Sequence, residues 1–238
     1  MSQAKSIQSV ERAMAVLETL AAHGGEARLT TLSETLGLNK STLHGLLRTL
    51  LELGYISRRE QNYTLGLRLR EIAQPLQDAD SLIRTAFGPA LRRLSAMSGE
   101  TCWLAVPCGT REYLYIDAVE GGKNLRVASP RGKRERLTTS AIGRIFLAFN
   151  DDLLRALRKS DAVSSSLNGE ISRIREQGFA LDIGEAEEGL HCLALPLQQS
   201  GRVVAALGMA GPAARLHPDY MRRFAQRVLS EMFDIIKL

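Results

Sequence analysis

The feature that most constrains this chain is a leucine repeat between Gly37 and Gly54. Leucines recur there at intervals of three and four residues, which predicts an amphipathic helix with one apolar side. Asn39 stands just before the repeat as a favoured N-cap residue, and glycine commonly follows a helix. The predicted apolar side consists of Leu43, Leu46, Leu47, Leu50 and Leu53. The other side of this helix is therefore left to solvent or to a partner.

Two patterns upstream predict two more helices. In the first helix, an apolar stripe is expected from Ile7, Val10, Met14, Leu17 and Ala21, which recur at helical spacing. Thr31 and Glu34 form a T-x-x-E pattern, which predicts a capping box at the start of the second helix. Leu32 and Leu36 are expected to face the core, and Gly37 to end that helix.

A polar turn then separates two short strand-like runs. Residues 55–59 and 63–65 alternate in the manner of strands, and Glu60-Gln61-Asn62 supplies the turn. Arg58 and Arg59 are expected near the tip of this hairpin. Three helices followed by a basic hairpin predict a winged helix-turn-helix domain over residues 1–68.

The exposed side of the third helix is typical of a reader of double-stranded DNA. Its small and polar side chains would let the helix enter the major groove, where they can contact base edges and phosphates. Between Lys40 and Arg70 there are six basic residues against two acidic ones. The predicted DNA-binding residues are Thr31, Lys40, Ser41, Thr42, His44, Gly45, Arg48, Arg58, Arg59 and Asn62.

A three-helix bundle that contacts other proteins is the alternative interpretation of the same segment. Helical triplets are common, and arginines often serve only to solvate a surface. The basic hairpin that follows the third helix favours DNA binding.

Composition excludes several other classes of protein. The 238 residues carry a formal charge of +5, which suits a polyanionic partner. The three cysteines, Cys102, Cys108 and Cys192, form no C-x-x-C pair, so neither a disulfide scaffold nor a thiolate metal site is expected. No apolar run approaches the roughly 20 residues of a membrane span. A cytoplasmic protein without a cofactor, a metal or a membrane partner is expected.

The second half of the sequence predicts an α+β fold with an antiparallel sheet flanked by helices. The expected strands are residues 101–107, 113–119, 125–128, 191–197 and 202–210. Gln74-Pro75 interrupts the helical pattern that follows the hairpin, and Gly88-Pro89 is expected to kink or restart it. The basic run from Arg131 to Arg136 is interpreted as a solvated loop over the mouth of a pocket.

The candidate pocket lies where Thr139, Ser140, Ala141, Ile142 and Gly143 open a helix. Small residues at a helix N-terminus leave backbone N–H groups free to hold an anion, so a carboxylate ligand is expected there. A purely structural role remains open, in which Ser140 only caps the helix.

The alternative function is that of an enzyme, a thiol hydrolase or transferase that uses Cys192. His191 is adjacent to Cys192, so in a strand it points to the opposite face and cannot act as its base. The sequence also lacks metal-ligand spacing and phosphate-binding glycine motifs. No catalytic residue is therefore predicted.

The sequence resembles the IclR family of bacterial regulators over nearly its whole length. The first half carries SVERAMAVLETLA, LTTLSETLGLNKSTLHGLLRTLLELGYISR and YTLGLRL. The second half carries SGETCWLAV, LTTSAIGRIFLAF, IREQGFALDIGEAEEGLHCLALPL and GRVVAALGMAGPAARL in the family's order.

The resemblance implies a winged helix-turn-helix, a linker helix over residues 69–86, and an effector-binding domain over residues 87–238 similar to GAF and PAS folds. It also implies homodimers or tetramers on near-palindromic DNA operators. By resemblance, Ala141, Ile142, Asp182 and Cys192 match effector-contacting positions, and Trp103 and Leu190 match apolar walls. Structural alternatives stay open: packing for Trp103, a core position for Cys192, and an ordinary exposed carboxylate for Asp182.

The sequence departs from the family pattern at several positions. Gly45 follows His44 where many relatives have arginine. Thr138 replaces a usual histidine, and Arg144 a customary lysine. The segment between Leu154 and Leu167 is shorter than is typical. These departures indicate that the operator contacts and the effector specificity differ from those of well-known members of the family.

Overall fold

A computed structural model describes residues 7–128, 131–160 and 163–238. The chain divides into two compact units, the first ending at Ala79 and the second beginning at Asp80. Among the described residues, no helix combines the length and apolar character needed to cross a membrane. No group of three or more His, Cys, Asp or Glu side chains in this part of the chain is placed to hold a metal ion.

The first unit consists of three helices, a small antiparallel sheet and the start of a fourth helix. Its elements are α1 (Gln8–Ala22), β1 (Glu26–Arg28), α2 (Leu29–Leu36), α3 (Lys40–Glu52), β2 (Ile56–Arg59), β3 (Asn62–Leu65) and α4 (Arg68–Ser98), which continues past Ala79. The strand order is β1-β3-β2. The predicted winged helix-turn-helix is thus present, with an additional strand, β1, that the sequence did not reveal.

The core of the first unit corrects the predicted face of α1. The buried side chains of α1 are Val16, Thr19 and Leu20. Ile7, Val10 and Met14 are more than half exposed, so the predicted stripe lies mostly on the outside. In α3, Leu43, Leu47 and Leu50 are buried as expected, whereas Leu53 is exposed because the helix ends at Glu52.

The predicted capping box of α2 is wrong. The helix begins at Leu29 after Arg28, whose side chain makes no cap hydrogen bond. Thr31 is therefore the third residue inside the helix and cannot cap it. The start of α2 is set by β1, because the chain leaves the strand directly into the helix. At the other end, Gly37 adopts a left-handed conformation with φ 62°, as expected of a helix-ending glycine.

The second unit contains a six-stranded antiparallel sheet with helices on both faces. Besides the rest of α4, its elements are β4 (Thr101–Cys108), β5 (Glu112–Val119), β6 (Arg134–Arg136), α5 (Ala141–Phe149), α6 (Asp151–Arg158), α7 (Ser165–Gln177), β7 (Ala180–Ile183), β8 (Leu190–Gln199), β9 (Arg202–Pro212), α8 (Pro218–Glu231) and α9 (Phe233–Ile236). The described strands are ordered β6-β5-β4-β9-β8-β7. The predicted α+β fold with an antiparallel sheet is confirmed.

Several local predictions in this half are wrong. Residues 125–128 form no strand. The helix α4 runs without interruption past Pro75 and Pro89, because each proline removes only one backbone N–H and the adjacent turns keep theirs. It covers the predicted 69–86 linker and extends beyond it. Residues 134–136 of the basic run form the edge strand β6 rather than a loop, although they are exposed as expected.

The two faces of the sheet carry side chains of different size. Alternate residues of a strand point to opposite faces. On β8, Leu193, Leu195 and Leu197 pack against α4 and α8 on one face. Ala194 lies on the other face in the cluster that includes α5, α6 and α7, and Ala206 and Ala210 of β9 lie there too. The small residues leave room between this second face and its helices, and a cavity lies there.

Candidate functional site

The start of α3 is held by its N-cap. Asn39 Oδ1 accepts a hydrogen bond of 2.8 Å from the backbone N–H of Thr42 and one of 2.9 Å from the Ser41 hydroxyl. The cap predicted from the sequence is therefore formed. Ser41 and Thr42 are partly engaged in it, but the Ser41 side chain remains exposed.

The outer face of α3 is open and polar. Lys40, His44 and Arg48 are exposed along it. Gly45 lies between them, and a Cβ added there would meet no heavy atom within 4 Å. Arg48 Nε lies 3.7 Å from Glu52 Oε1, and the two side chains are 80% and 69% exposed. Such an exposed pair contributes little to stability, so Arg48 is free to exchange it for another anion.

The hairpin of β2 and β3 presents two arginines. Arg58 pairs with Tyr63 across the ladder, and Arg59 pairs with Asn62. The Arg58 guanidinium lies 5.8 Å from the centre of the buried Tyr63 ring, and its Nε donates 3.2 Å to the Glu60 carbonyl. These contacts orient Arg58 at the turn, while its charged group stays exposed.

The predicted DNA-binding residues separate by exposure. Thr31, Thr42 and Asn62 are half-buried, and the other seven are exposed: Lys40, Ser41, His44, Gly45, Arg48, Arg58 and Arg59. The structure places a further exposed arginine, Arg28 of β1, opposite Asn62 of the hairpin. Sequence reasoning missed Arg28 because a strand of three residues has no detectable alternation.

In the second unit, a cavity of about 390 Å³ lies between the sheet and the N-terminus of α5. Its lining residues are Trp103, Tyr113, Tyr115, Val127, Ala128, Glu135, Thr139, Ser140, Ala141, Ile142, Asp182, Ala186, Glu187, Leu190, Cys192, Leu193 and Gly208. All the predicted effector residues are among them except Gly143. Gly143 instead lies against the backbone of Leu137, and a Cβ at this position would be 2.3 Å from the Leu137 carbonyl oxygen.

Close packing of α5 on the sheet shapes one end of the cavity. Gly208 pairs with Trp103 in the ladder between β9 and β4. A Cβ on Gly208 would lie 2.5 Å from Ile142 Cδ1 and 3.3 Å from Trp103 Cε3. Only glycine therefore lets Ile142 approach the sheet, and Trp103 and Ile142 are neighbours at this end.

At the N-terminus of α5, two backbone N–H groups have no acceptor among the described residues. Ser140 Oγ accepts 3.2 Å from Gly143 N–H, and the Ser140 carbonyl accepts 3.1 Å from Arg144 N–H. The first N–H groups of a helix have no partner inside the helix. Those of Ala141 and Ile142 remain, and both residues line the cavity. An anion site at this point stays a prediction of the sequence.

The Ser140 side chain is already used by its neighbours. Tyr113 and Tyr115 donate to Glu135 Oε2 at 2.5 and 2.9 Å. Burial raises the pKa of both tyrosine hydroxyls well above the ordinary value, so they stay protonated. Ser140 Oγ lies 2.7 Å from Tyr113 Oη and donates to it, since the Tyr113 proton is given to Glu135. Sequence reasoning found Ser140 but missed both tyrosines and Glu135.

Arg144 is a buried cation on α5. It is 4% exposed and forms ion pairs with Glu170 of α7 and with Glu185 of the loop after β7. Burial would lower the pKa of Arg144, but the hydrogen bond with Glu185 and the charge of Glu170 outweigh it and raise the pKa. Arg144 thus ties α5 to the loop that carries Ala186 and Glu187 of the cavity wall.

The environment of Cys192 disfavours a nucleophilic thiol. Burial raises the pKa of Cys192, and the negative charge of Asp182 adds to the effect, so the thiolate is scarce. His191 Nδ1 lies 2.6 Å from the Leu216 carbonyl and donates to it. The adjacent histidine is therefore committed elsewhere, as the strand geometry predicted.

Asp182 and Trp103 are both buried, so the alternative of an exposed carboxylate at Asp182 is wrong, whereas a packing role for Trp103 stays open. Their side chains are 1% and 5% exposed. Asp182 Oδ1 accepts from the backbone N–H groups of Glu185 and Ala186, at 2.8 and 3.4 Å. Asp182 Oδ2 and Trp103 Nε1 have no partner among the described residues.

Comparison with known proteins places both units in one family. The IclR helix-turn-helix domain matches residues 9–60, and the domain described as bacterial transcriptional regulator IclR C-terminal matches residues 76–235. The HTH-type transcriptional regulator XynR of Escherichia coli is 33% identical over 236 residues, covering 93% of each chain.

Solved structures show the same fold. An IclR family regulator from Brucella abortus superposes with a TM-score of 0.71 at 22% identity, covering 98% of this chain and 92% of its own. An IclR homologue from Microbacterium hydrocarbonoxydans, complexed with 4-hydroxybenzoate, gives a TM-score of 0.68 at 20% identity, with coverage of 95% and 99%. The chain therefore belongs to the IclR family of bacterial transcriptional regulators, with a helix-turn-helix DNA-binding domain followed by an effector-binding domain.

Proposed function

We propose that the exposed face of α3 enters the major groove of an operator while the β2–β3 hairpin rests on the neighbouring phosphates. The observation that carries this proposal is the row of Lys40, His44 and Arg48 around the bare backbone of Gly45. A glycine there removes bulk, so the helix backbone can approach base edges closely. Arg58 and Arg59 of the hairpin supply charge to the DNA backbone without reading sequence.

The protein acts as a homodimer or as a tetramer of two dimers. Exposed apolar side chains at two helices of the first unit support this part of the proposal: Ile7 just before α1, Val10 and Met14 on α1, and Ile72 and Leu76 on α4. Exposed apolar surface of this kind typically marks an interface. A second copy related by a two-fold axis would cover the same side chains on both protomers and match a near-palindromic operator.

The cavity of the second unit binds a small carboxylate that regulates DNA binding. The carboxylate accepts from the free N–H groups of Ala141 and Ile142 at the start of α5. Of the structures similar to this fold, the Microbacterium hydrocarbonoxydans protein holds 4-hydroxybenzoate, which is also a carboxylate. Binding would alter the spacing of paired recognition helices, which have to match half-sites about 34 Å apart.

This regulator works in the cytoplasm, where it meets chromosomal DNA, and it performs no catalysis. The inert setting of Cys192 supports the second statement. Incubation with generic esters and amides tests it: turnover that disappears in Cys192→Ala would contradict it.

Footprinting across the promoters of the protein's own gene and its neighbours tests the function as a whole. A protected near-palindromic site is expected, with an occupancy that changes when a panel of small acids is added. Absence of any protected site, with and without the acids, would overturn the proposal.

A further inference from the structure

A strap formed by residues 120–128 borders the cavity of the second unit and belongs to no helix or strand. It begins where β5 ends, and Val127 and Ala128 at its other end line the cavity together with Trp103. Leu125 is 68% exposed, whereas Val127 is half-buried. The strap therefore turns one side to solvent and the other to the cavity.

The strap is held by side chains rather than by a backbone ladder. Within the described part of the chain, no backbone-to-backbone hydrogen bond includes a residue of the strap. A strand cannot leave a sheet without breaking its ladder. A segment that depends on a few side-chain contacts can open locally while the rest of the domain stays folded.

One hydroxyl group binds both ends of the strap. Thr101 Oγ1 donates a hydrogen bond of 2.7 Å to the Val127 carbonyl and accepts one of 3.0 Å from the Gly121 N–H. Thr101 is buried on β4, two residues before Trp103, so both side chains point to the cavity face of the sheet. Gly121 lies flat against this strand, because a Cβ on it would be 2.9 Å from the backbone nitrogen of Thr101.

A buried carboxylate binds the middle of the strap. Glu100 Oε1 accepts 2.7 Å from Lys123 Nζ, which belongs to the strap. Both oxygens of Glu100 accept from Arg215 at 2.8 Å, and the Arg215 guanidinium also donates 2.9 Å to the Leu125 carbonyl. Glu100 packs on Gly211 of β9, where a Cβ would lie 2.7 Å from Glu100 Oε2. The carboxylate is therefore fixed to the sheet, and two points of the strap are fixed to the carboxylate.

These contacts all depend on two adjacent residues at the start of β4, Glu100 and Thr101. They hold the strap at every second residue: Gly121, Lys123, Leu125 and Val127. Neither Glu100 nor Thr101 lines the cavity itself. Breaking their contacts would free the strap and leave the ladders of β4 with β5 and β9 in place.

We infer that the strap is a gate of the cavity, latched by Glu100 and Thr101. In the latched state Val127 and Ala128 complete the cavity wall. When the latch opens, the strap moves away and a small molecule enters or leaves past Trp103, while the sheet stays unchanged. This inference rests on the proposed function of the cavity as an effector site and adds the route of entry. Glu100 and Thr101 are positioning residues, since they contact the strap and not the effector.

Acrylamide quenching of Trp103 tests the gate without any effector. Trp103 is the single tryptophan of the chain, lines the cavity and is 5% exposed. Acrylamide is small and neutral and quenches an indole only on contact. The quenching constant obtained from fluorescence lifetimes therefore measures how often the cavity is open. Hydrogen exchange followed by mass spectrometry gives a second measurement at the amides of the strap.

Two variants of the full-length protein each remove one part of the latch. Thr101→Val keeps the shape of the side chain and loses the hydroxyl, and Lys123→Met keeps the aliphatic stem and loses the charge. Each should raise the quenching constant at least twofold, because the strap is open for a larger fraction of the time. Exchange of the strap amides should rise as well, while the amides of β4 and β9 keep the rates of the parent protein. The Lys123 side chain is 41% exposed, so Lys123→Met is expected to fold even if Thr101→Val does not.

Two control variants separate a gate from general loosening of the domain. Arg126→Gln removes an exposed ion pair with Glu120 inside the strap and leaves both latch residues intact. Val228→Ala shortens a buried side chain of α8 on the opposite face of the sheet. Both should quench as the parent protein does, although Val228→Ala should lower the temperature of thermal unfolding.

Three outcomes would overturn the inference. In the first, Trp103 of the parent protein is quenched as readily as free N-acetyltryptophanamide, so the strap shields nothing. In the second, the latch variants that fold show the quenching and exchange of the parent protein. In the third, Val228→Ala raises the quenching as much as the latch variants do. None of these results depends on a bound acid, so failure of the gate is distinguishable from failure of the carboxylate site, which the acid panel tests in footprinting.

Discussion

Ser140 Oγ lies 2.7 Å from Tyr113 Oη while it accepts a hydrogen bond from the backbone of Gly143. One hydroxyl thereby fixes the start of α5 and joins the helix to the tyrosines of β5. Ser140 is therefore a residue that positions the start of α5, and its hydrogen bonds are made within the protein.

Ser140→Ala is expected to lower the free energy of unfolding by about 1 kcal/mol, because the helix loses its N-cap acceptor. Chemical denaturation measures the change, with Ser230→Ala at an exposed position of α8 as the control. Equal stability of the two variants would show that the Ser140 cap contributes nothing.

Glu100 is a buried carboxylate, 1% exposed, that binds Arg215 through both oxygens at 2.8 Å and Lys123 at 2.7 Å. Burial alone would raise the pKa of Glu100, but hydrogen bonds from Arg215 and Lys123 outweigh it and hold the pKa below its usual value. A lowered folded-state pKa means that Glu100 stabilises the fold above the pKa of the unfolded chain, about 4.3.

Glu100→Gln should therefore cost about 2 kcal/mol at pH 7. The difference from the parent should shrink as the pH falls below about 4 and through the lower folded-state pKa. Urea denaturation at a series of pH values checks both statements. A difference that grew toward acid pH would contradict the sign of the shift.

Two glycines of helices should respond in opposite ways to alanine. Gly45 has open space around it, so Gly45→Ala should raise the free energy of unfolding by about 0.5–1 kcal/mol through helix propensity. At Gly143 the new Cβ would lie 2.3 Å from the Leu137 carbonyl oxygen, so Gly143→Ala should cost about 2 kcal/mol or more. Thermal unfolding of the pair checks the contrast, and similar shifts would refute it.

The sequence identified the helices of the first unit but chose the wrong face of α1. The helical spacing predicted that Val10 and Met14 face the core. In the structure they are exposed, and Val16 and Leu20 of the same helix are buried in the core instead. When a helix has apolar residues on two faces, the spacing of its apolar residues predicts a helix but does not show which face is buried. Which face its own domain buries depends on where α3 packs, and a single sequence does not contain that information.

The outward face of α1 gives the next prediction. The double variant Val10→Asp/Met14→Asp should shift the proposed dimer toward monomer, because charges placed in an apolar interface oppose its burial. Sedimentation measures the effect, with Gln8→Asp, on the opposite side of α1, as the control. An unchanged dimer would show that this face lies outside the interface.

The candidate cavity was predictable in part. The small residues that open α5, and Asp182 and Cys192 from the family resemblance, do line the cavity, whereas an anion bound there stays a prediction. Tyr113, Tyr115 and Glu135 were not predictable, because they meet only through the pairing of β5 with the edge strand β6, a charged run of three residues. That Trp103 Nε1 has no partner within the described part of the chain likewise appears only once the strands are assembled.

The most direct test of DNA recognition is the affinity of arginine variants for an operator duplex. Fluorescence anisotropy at several salt concentrations would compare the parent with Arg48→Ala, Arg58→Ala and the control Arg223→Ala, an exposed arginine of α8. Arg48→Ala should weaken operator binding about tenfold. Arg58→Ala should weaken binding to all duplexes. It should also reduce the slope of the logarithm of the binding constant against the logarithm of the salt concentration by about one. Arg223→Ala should match the parent. If Arg48→Ala and Arg58→Ala both bind as tightly as the parent, then α3 and the hairpin are not the DNA-binding surface.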